Sequence, residues 1–272
     1  MNRVSRTIGD VSLDVHEAGS GPTLLFLHGE DGLQWSGPVL AELAEHFSVV
    51  APHHPGWGGS TRPEYIGEVR DLALVYAEFL EQLGEPVLVA GCSFGGWVAA
   101  ELAILRPPAL AALALIAPTG VKFGRRDERD FADIWIAGFD ELPGIWYGDP
   151  AAAPDLSALS DEDYLALAIA QEATARYCWK PYMHNPTLRY WLRRVPVPSM
   201  VIAGDRDRFA LRPDYAKEYA ALIGPQGAEL RVLPDAGHRV EEERPAQVAQ
   251  CVAELAETAL GGVRAMERAG RP

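Results

Sequence analysis

Val87-Leu88-Val89-Ala90-Gly91-Cys92-Ser93-Phe94-Gly95-Gly96-Trp97-Val98 is an apolar strand that stops at a glycine, presents one serine and restarts through two more glycines as a helix. A serine held on such a turn sits in strained backbone with its hydroxyl above the strand end, so the residues two before and two after it must be small. Gly91 and Gly95 occupy those two slots. This is the shape of a nucleophile elbow. Cys92 is an alternative nucleophile by chemistry, since a thiolate attacks readily, but its own flanks are Ala90 and Phe94. A purely structural turn, allowing strand and helix to pack closely, is the competing reading.

Outward from this turn the chain alternates. Apolar strand-like runs at Thr23–Leu27, Phe47–Ala51, Val87–Ala90 and Leu110–Ala117 are separated by amphipathic segments at Val39–His46, Glu68–Leu83 and Ser93–Leu105. Strand and helix in alternation predict βαβ units and a mostly parallel sheet. Val11, Leu13 and Val15 alternate with polar residues and predict an opening hairpin. After Pro118 the rhythm fails until Ser199–Ala203, then resumes with a helix at Asp214–Ile223, a strand at Glu229–Leu233 and a helix at Ala246–Leu260. Residues 1–120 and 196–272 therefore read as one α/β core, interrupted by a helical insertion at 121–195. Within the insertion, Ser160 followed by Asp161, Glu162 and Asp163 predicts a helix start.

The insertion holds 12 of the 24 aromatic residues, which allows two readings. A small helical unit needs large side chains for any core of its own; a lid over the sheet needs them to line an apolar pocket. Trp135, Trp146 and Trp179, with His28 and Arg239 nearby in the core, are the residues expected to line that pocket. Arg176, Arg189, Arg193 and Arg194 give the insertion either a solvated basic face or a holder for a substrate carboxylate.

Composition narrows the classes. The 272 residues are 48% hydrophobic, enough for a buried core, and the net charge of −14 leaves no footprint for nucleic acid or an anionic membrane surface. Three scattered cysteines form no disulfide framework. Residues 1–10 lack the apolar run of a signal peptide, and the longest uncharged stretch, Pro107–Val121, is too short for a bilayer. A cytoplasmic protein is the expectation, with no metal, no cofactor and no membrane or nucleic-acid partner. Oligomeric state stays open, a homodimer included.

A serine hydroxyl reacts at neutral pH only with a base in hydrogen-bond reach and an acid orienting that base. Of seven histidines, His238 lies in a loop just past the last strand, where side chains reach the carboxyl edge of the sheet. His28, after an earlier strand, competes. Gly204-Asp205-Arg206-Asp207 follows the strand ending at Ala203 and offers two acids. Asp207 is the one placed to bend back toward His238, and Asp205 reads as a turn former or a partner for Arg206 or Arg208. Backbone N–H groups of Phe94 and Glu30 are the expected oxyanion donors. Carboxylates beside a developing oxyanion would oppose it, so the side chains of Glu30 and Asp31 are expected to face away.

Together His28-Gly29, His54-Pro55-Gly56-Trp57-Gly58-Gly59-Ser60, Gly91-Cys92-Ser93-Phe94-Gly95-Gly96, Gly204-Asp205-Arg206-Asp207 and Gly237-His238 resemble the α/β-hydrolase fold superfamily, in its order and spacing, over residues 10–260. The resemblance implies an eight-stranded, mostly parallel sheet with a helical cap inserted after the sixth strand. It also implies Ser93 as nucleophile, Asp207 as acid and His238 as base. The chain is similar to capped esterases and to meta-cleavage C–C hydrolases. The latter usually carry asparagine before the serine and tryptophan after the histidine, where this chain has Cys92 and Arg239. Three activities are thus compatible. The first is a serine hydrolase cleaving a small or medium carboxylic ester with an apolar portion. The others are a C–C bond hydrolase and a triad-retaining, ligand-binding protein that does not hydrolyse.

Overall fold

The hairpin predicted at the start of the chain pairs Asn2–Ile8 (β1) with Val11–Ala18 (β2), Ile8 opposite Val11 and Val4 opposite Val15. The computed structural model describes residues 1–84 and 86–269. Six further strands complete the sheet: Thr23–Leu27 (β3), Ser48–Pro52 (β4), Val87–Cys92 (β5), Leu110–Ile116 (β6), Ser199–Gly204 (β7) and Glu229–Leu233 (β8). Their order across the sheet is β1-β2-β4-β3-β5-β6-β7-β8, with β2 antiparallel to both neighbours and every later pairing parallel. The expected eight-stranded, mostly parallel α/β architecture is present.

Helices Gly37–Ala44 (α1), Val69–Leu83 (α2) and Phe94–Leu105 (α3) connect the first strands. Leu142–Trp146 (α4), Asp161–Cys178 (α5) and Leu188–Trp191 (α6) lie between β6 and β7, and Tyr215–Leu222 (α7), Val240–Glu243 (α8) and Pro245–Ala269 (α9) follow. The last helix runs past its predicted end at Leu260. Central strands are covered on both faces, which is why they read as continuous apolar runs. Leu24 and Phe26 pack with Leu40 and Leu43 of α1 and Val248 and Val252 of α9, while Leu25 and Leu27 pack with Leu72 and Tyr76 of α2 and Val98 of α3. Alternate side chains of β3 thus feed opposite cores, as the two-residue period of a strand requires. Among the described residues no helix is long and apolar enough to cross a membrane.

The segment between β6 and β7 is tied to the core at named points. α5 starts on the predicted cap, with the Ser160 hydroxyl accepting from the Asp163 N–H at 3.2 Å and Asp163 accepting from the Ser160 N–H at 3.0 Å. Near its other end the Thr174 hydroxyl donates to the Glu30 carbonyl and the Tyr177 hydroxyl to the Pro55 carbonyl, both at 3.1 Å. The Tyr177 ring stacks on Trp57 at 5.6 Å. The aromatic residues of this segment differ in burial: Phe131, Trp146 and Tyr177 are buried, while Phe139 and Trp179 are exposed.

Candidate active site

Ser93 stands between β5 and α3 with φ 46° and ψ −110°, a left-handed conformation that costs a non-glycine residue of order 1–3 kcal/mol. The turn is over-determined by close approach. A Cβ on Gly91 would come within 2.3 Å of the Gly95 carbonyl oxygen, and one on Gly95 within 2.1 Å of the Leu27 carbonyl oxygen. Only glycine fits either slot. The serine hydroxyl is thereby presented at the carboxyl ends of β3, β5, β7 and β8.

Two loops bring partners to it. Asp207, three residues past β7, has one carboxylate oxygen fixed by the N–H groups of Phe209 and Ala210 at 2.9 and 3.0 Å. Its other oxygen accepts from His238 Nδ1 at 2.8 Å. A carboxylate accepts only, so the ring proton lies on Nδ1 and Nε2 faces the serine. His238 Nε2 is 2.7 Å from Ser93 Oγ. The imidazole is wedged by Phe209 and Trp146 at 4.6 and 5.4 Å between ring centres. Burial disfavours its charged form, but the charge and hydrogen bond of Asp207, with Glu30, outweigh burial and Arg239 and raise its pKa above the ordinary histidine value. A Cβ on Gly237 would strike Gly148 N at 2.4 Å, so glycine there lets the chain after α4 press against the histidine loop.

Glu30 departs from expectation. Its carboxyl does not face away: Oε1 lies 2.6 Å from Ser93 Oγ, the residue is buried, and Oε2 has no hydrogen-bond partner. The cause is the loop after β3. The Gly32 N–H donates to the Gly29 carbonyl in a tight turn, and the Glu30 carbonyl is pinned by Trp57 Nε1 at 2.9 Å and Thr174 Oγ1 at 3.1 Å. With the peptide held from two sides, the side chain is left next to the serine. Asp31 likewise turns inward, drawn by Arg239 at 2.5 Å. Neither orientation is legible in the sequence, where only the adjacency of Glu30 to His28-Gly29 hinted at proximity. Phe94, the first residue of α3, keeps an N–H without an intrahelical acceptor at the serine turn.

A cavity of about 300 Å³ opens beside these groups, lined by Glu30 and Asp31 and by aromatic residues that include Trp35, Trp135, Trp146 and Tyr147. Trp135 and Trp146 were expected there. Trp179 is not among the lining residues; it is 60% exposed and borders a separate surface depression with Lys122 and Arg189. Arg239 also lies outside the lining. It is buried behind it, its guanidinium 4.6 Å from the Trp146 ring centre and paired with Asp31, because a buried cation needs compensating carboxylates. His28 is fully buried, its Nδ1–H donating to the Gly29 carbonyl at 2.7 Å and Nε2 accepting from the His54 N–H at 2.9 Å. Both ring nitrogens are committed to backbone, which removes His28 as a competing base. His54 repeats the pattern, donating to the His28 carbonyl and accepting from the Tyr76 hydroxyl. Of the basic residues of the insertion, Arg176 pairs with Glu172 and Arg189 donates to the Lys122 carbonyl, both away from the cavity. Arg206 pairs with Asp235 rather than Asp205. Asp14, His16 and His53 also converge, but both oxygens of Asp14 accept from Arg3 at 2.6 Å, which commits that cluster to an ion pair.

Known proteins share this architecture. A lipase of Mycobacterium tuberculosis strain H37Rv, LipV, is 32% identical over 267 residues, spanning 88% of this chain and 97% of the lipase. An esterase from Thermogutta terrifontis superposes with a TM-score of 0.75 at 22% identity, over 95% of this chain and 99% of the other. The 2-hydroxy-6-oxo-6-phenylhexa-2,4-dienoate hydrolase of Rhodococcus sp. strain RHA1 does so with a TM-score of 0.72 at 23% identity, over 93% and 98%. Both structural likenesses speak to the fold alone. Residues 24–251 match the profile of the alpha/beta hydrolase family, and with a full-length lipase relative alongside that match, this chain belongs to the alpha/beta hydrolase family.

Proposed function

We propose that the protein is a serine hydrolase that cleaves a small or medium carboxylic ester through an acyl-enzyme on Ser93. The observation that carries this reading is the continuous chain from Ser93 Oγ to His238 Nε2 at 2.7 Å and from His238 Nδ1 to Asp207 Oδ2 at 2.8 Å, on a turn where only glycine fits two residues to either side.

In the first half-reaction His238 Nε2 takes the Ser93 proton as Oγ attacks the ester carbonyl, and Asp207 stabilises the imidazolium that forms. The N–H groups of Phe94 and Glu30 serve the oxyanion, the former helped by the amino end of α3. Collapse returns the proton from His238 to the departing alcohol. A water, deprotonated by the same ring, then frees the acid. The cavity lined by Trp135, Trp146 and Tyr147 favours an apolar acyl or alcohol portion. The full-length relationship to a lipase supports the ester over other acyl chemistry.

A fluorophosphonate probe tests the nucleophile. Labelling of Ser93 that vanishes in Ser93→Ala is expected, and an unlabelled serine or undiminished esterase turnover in the variant rejects the reading. Comparing p-nitrophenyl esters with a meta-cleavage ring-fission product separates ester from C–C cleavage. Ligand binding without turnover on either would point to the non-hydrolytic alternative.

A further inference from the structure

The cavity beside Ser93 carries one sign of charge. Its wall is built from Glu30, Asp31, Trp35 and residues between Ile134 and Thr174, and of the described residues that line it none is Lys, Arg or His. The stretch 130–175, which supplies most of that wall, holds ten Asp and Glu and no Lys, Arg or His in 46 residues. A cleft with low-dielectric walls and charges of one sign concentrates ions of the other. An ammonium is drawn in, whereas a carboxylate meets no cationic partner on the wall.

Glu30 gives the cavity a specific point of contact. It lines the wall, is only 3% exposed, and its Oε2 has no hydrogen-bond partner, a costly state for a buried polar atom. Arg239 approaches that oxygen at 3.9 Å, but the same guanidinium also meets Asp31 at 2.5 Å and Glu242 at 3.7 Å. One guanidinium among three carboxyl groups leaves room for a second cation. Trp35, Trp135, Trp146 and Tyr147 line the same cavity. Indole and phenol faces attract cations, and Trp146 already does so, with the Arg239 guanidinium 4.6 Å from its ring centre. An alkylammonium uses both features, since its charge suits Glu30 and the rings while its carbon groups suit an apolar wall.

We propose that the cavity is a subsite for a cation and that the substrate is a carboxylic ester whose apolar portion carries an alkylammonium group, with Glu30 as the residue that selects it. This rests on Ser93 being the nucleophile of an ester hydrolase. Glu30 Oε1 is 2.6 Å from Ser93 Oγ, so the ammonium is held beside the reacting carbonyl. A carboxylate in that place opposes the negative charge that develops on the carbonyl oxygen of a neutral ester. A substrate ammonium against Glu30 offsets that opposition, and the penalty falls on esters without the cation. Selection is therefore expected in kcat as well as in KM.

The test compares acetylcholine with its uncharged isostere 3,3-dimethylbutyl acetate. The cationic ester should have a kcat/KM at least about tenfold higher. Glu30→Gln should bring the ratio of the two esters to within about threefold of one, whatever it does to the rates they share. Gln171→Lys, at an exposed position on the cavity wall, should lower the same ratio by about tenfold and decides the matter should the Glu30 variant not fold. Tetramethylammonium chloride should quench tryptophan fluorescence saturably where sodium chloride does not. A wild-type ratio near one, a folded Glu30→Gln enzyme that keeps the preference, or no saturable response to tetramethylammonium overturns the proposal; fluorophosphonate labelling of Ser93 would then still uphold the serine hydrolase reading. If Ser93 is not labelled and no ester is cleaved, that reading fails, and the tetramethylammonium titration alone decides the cation subsite.

Discussion

Arg239 donates to Asp31 at 2.5 Å, joining the residue after the candidate base to the residue after Glu30. The two loops that flank Ser93 are thus held together by a buried ion pair, roofed by the Trp146 ring. Removing one member of such a pair leaves an uncompensated buried charge. Arg239→Met should lower the unfolding free energy by about 3–5 kcal/mol in urea titrations, and adding Asp31→Asn to the same chain should restore a large part of it.

Loss of either end of the hydrogen-bonded chain on Ser93 should be severe for activity and mild for stability. Ser93→Ala should reduce esterase kcat by at least about 10³-fold, and Asp207→Asn by roughly 10³–10⁴-fold, because an asparagine in that place no longer fixes the ring tautomer. Steady-state kinetics with matched thermal melts would check both.

The pKa of His238 is raised in the folded protein, chiefly against burial by Asp207 and Glu30. A base must be unprotonated, so the acidic limb of kcat/KM should lie above the ordinary histidine range of about 6.5. For stability the sign is opposite in use: the raised pKa stabilises the fold below the unfolded value and that contribution fades as pH rises through the folded one. A kcat/KM profile whose acidic limb falls below about pH 6 would contradict the assignment.

His54 behaves in the reverse way. Burial, aided by His53 and opposed by its bond to the His28 carbonyl, lowers its pKa to about 3. The neutral ring therefore stabilises the fold above the unfolded histidine pKa, and that contribution is lost as pH falls from about 6.5 toward about 3, on the order of 5 kcal/mol. Denaturant midpoints should drop over this window, and His54→Gln should flatten the dependence.

Thr174 of α5 is the link between the inserted segment and the loop bearing Glu30. Thr174→Val keeps the shape and deletes the donor, at a cost of about 1 kcal/mol. The Glu30 carbonyl retains Trp57 alone, so kcat/KM should fall by roughly tenfold with KM little changed. Parallel denaturation and kinetics would separate the two effects.

Local chemistry made much of this protein legible. The strand limits at Thr23–Leu27 were readable because an apolar run bounded by turn residues has few other uses, those at Glu229–Leu233 because charged and apolar residues alternate from Glu229 to Val232, and the Ser160 cap because its hydroxyl and Asp163 are three residues apart. Gly91-Cys92-Ser93-Phe94-Gly95 announced a strained serine through the residues that must be small around it. Side-chain direction was not legible. The inward turn of Glu30 depends on Trp57 and on Thr174, which is 144 residues away. The retreat of Arg239 behind Trp146 depends on which carboxylates reach it through space, and the neutrality of His28 on its burial beside His54, with its ring nitrogens bonded to backbone groups at Gly29 and His54. By itself, then, the sequence determined the sheet, the serine turn and the order of its partners, because these follow from spacing along the chain. Only the tertiary structure decided which side chains reach that serine, because that is a matter of burial and of distances between segments that the chain keeps far apart.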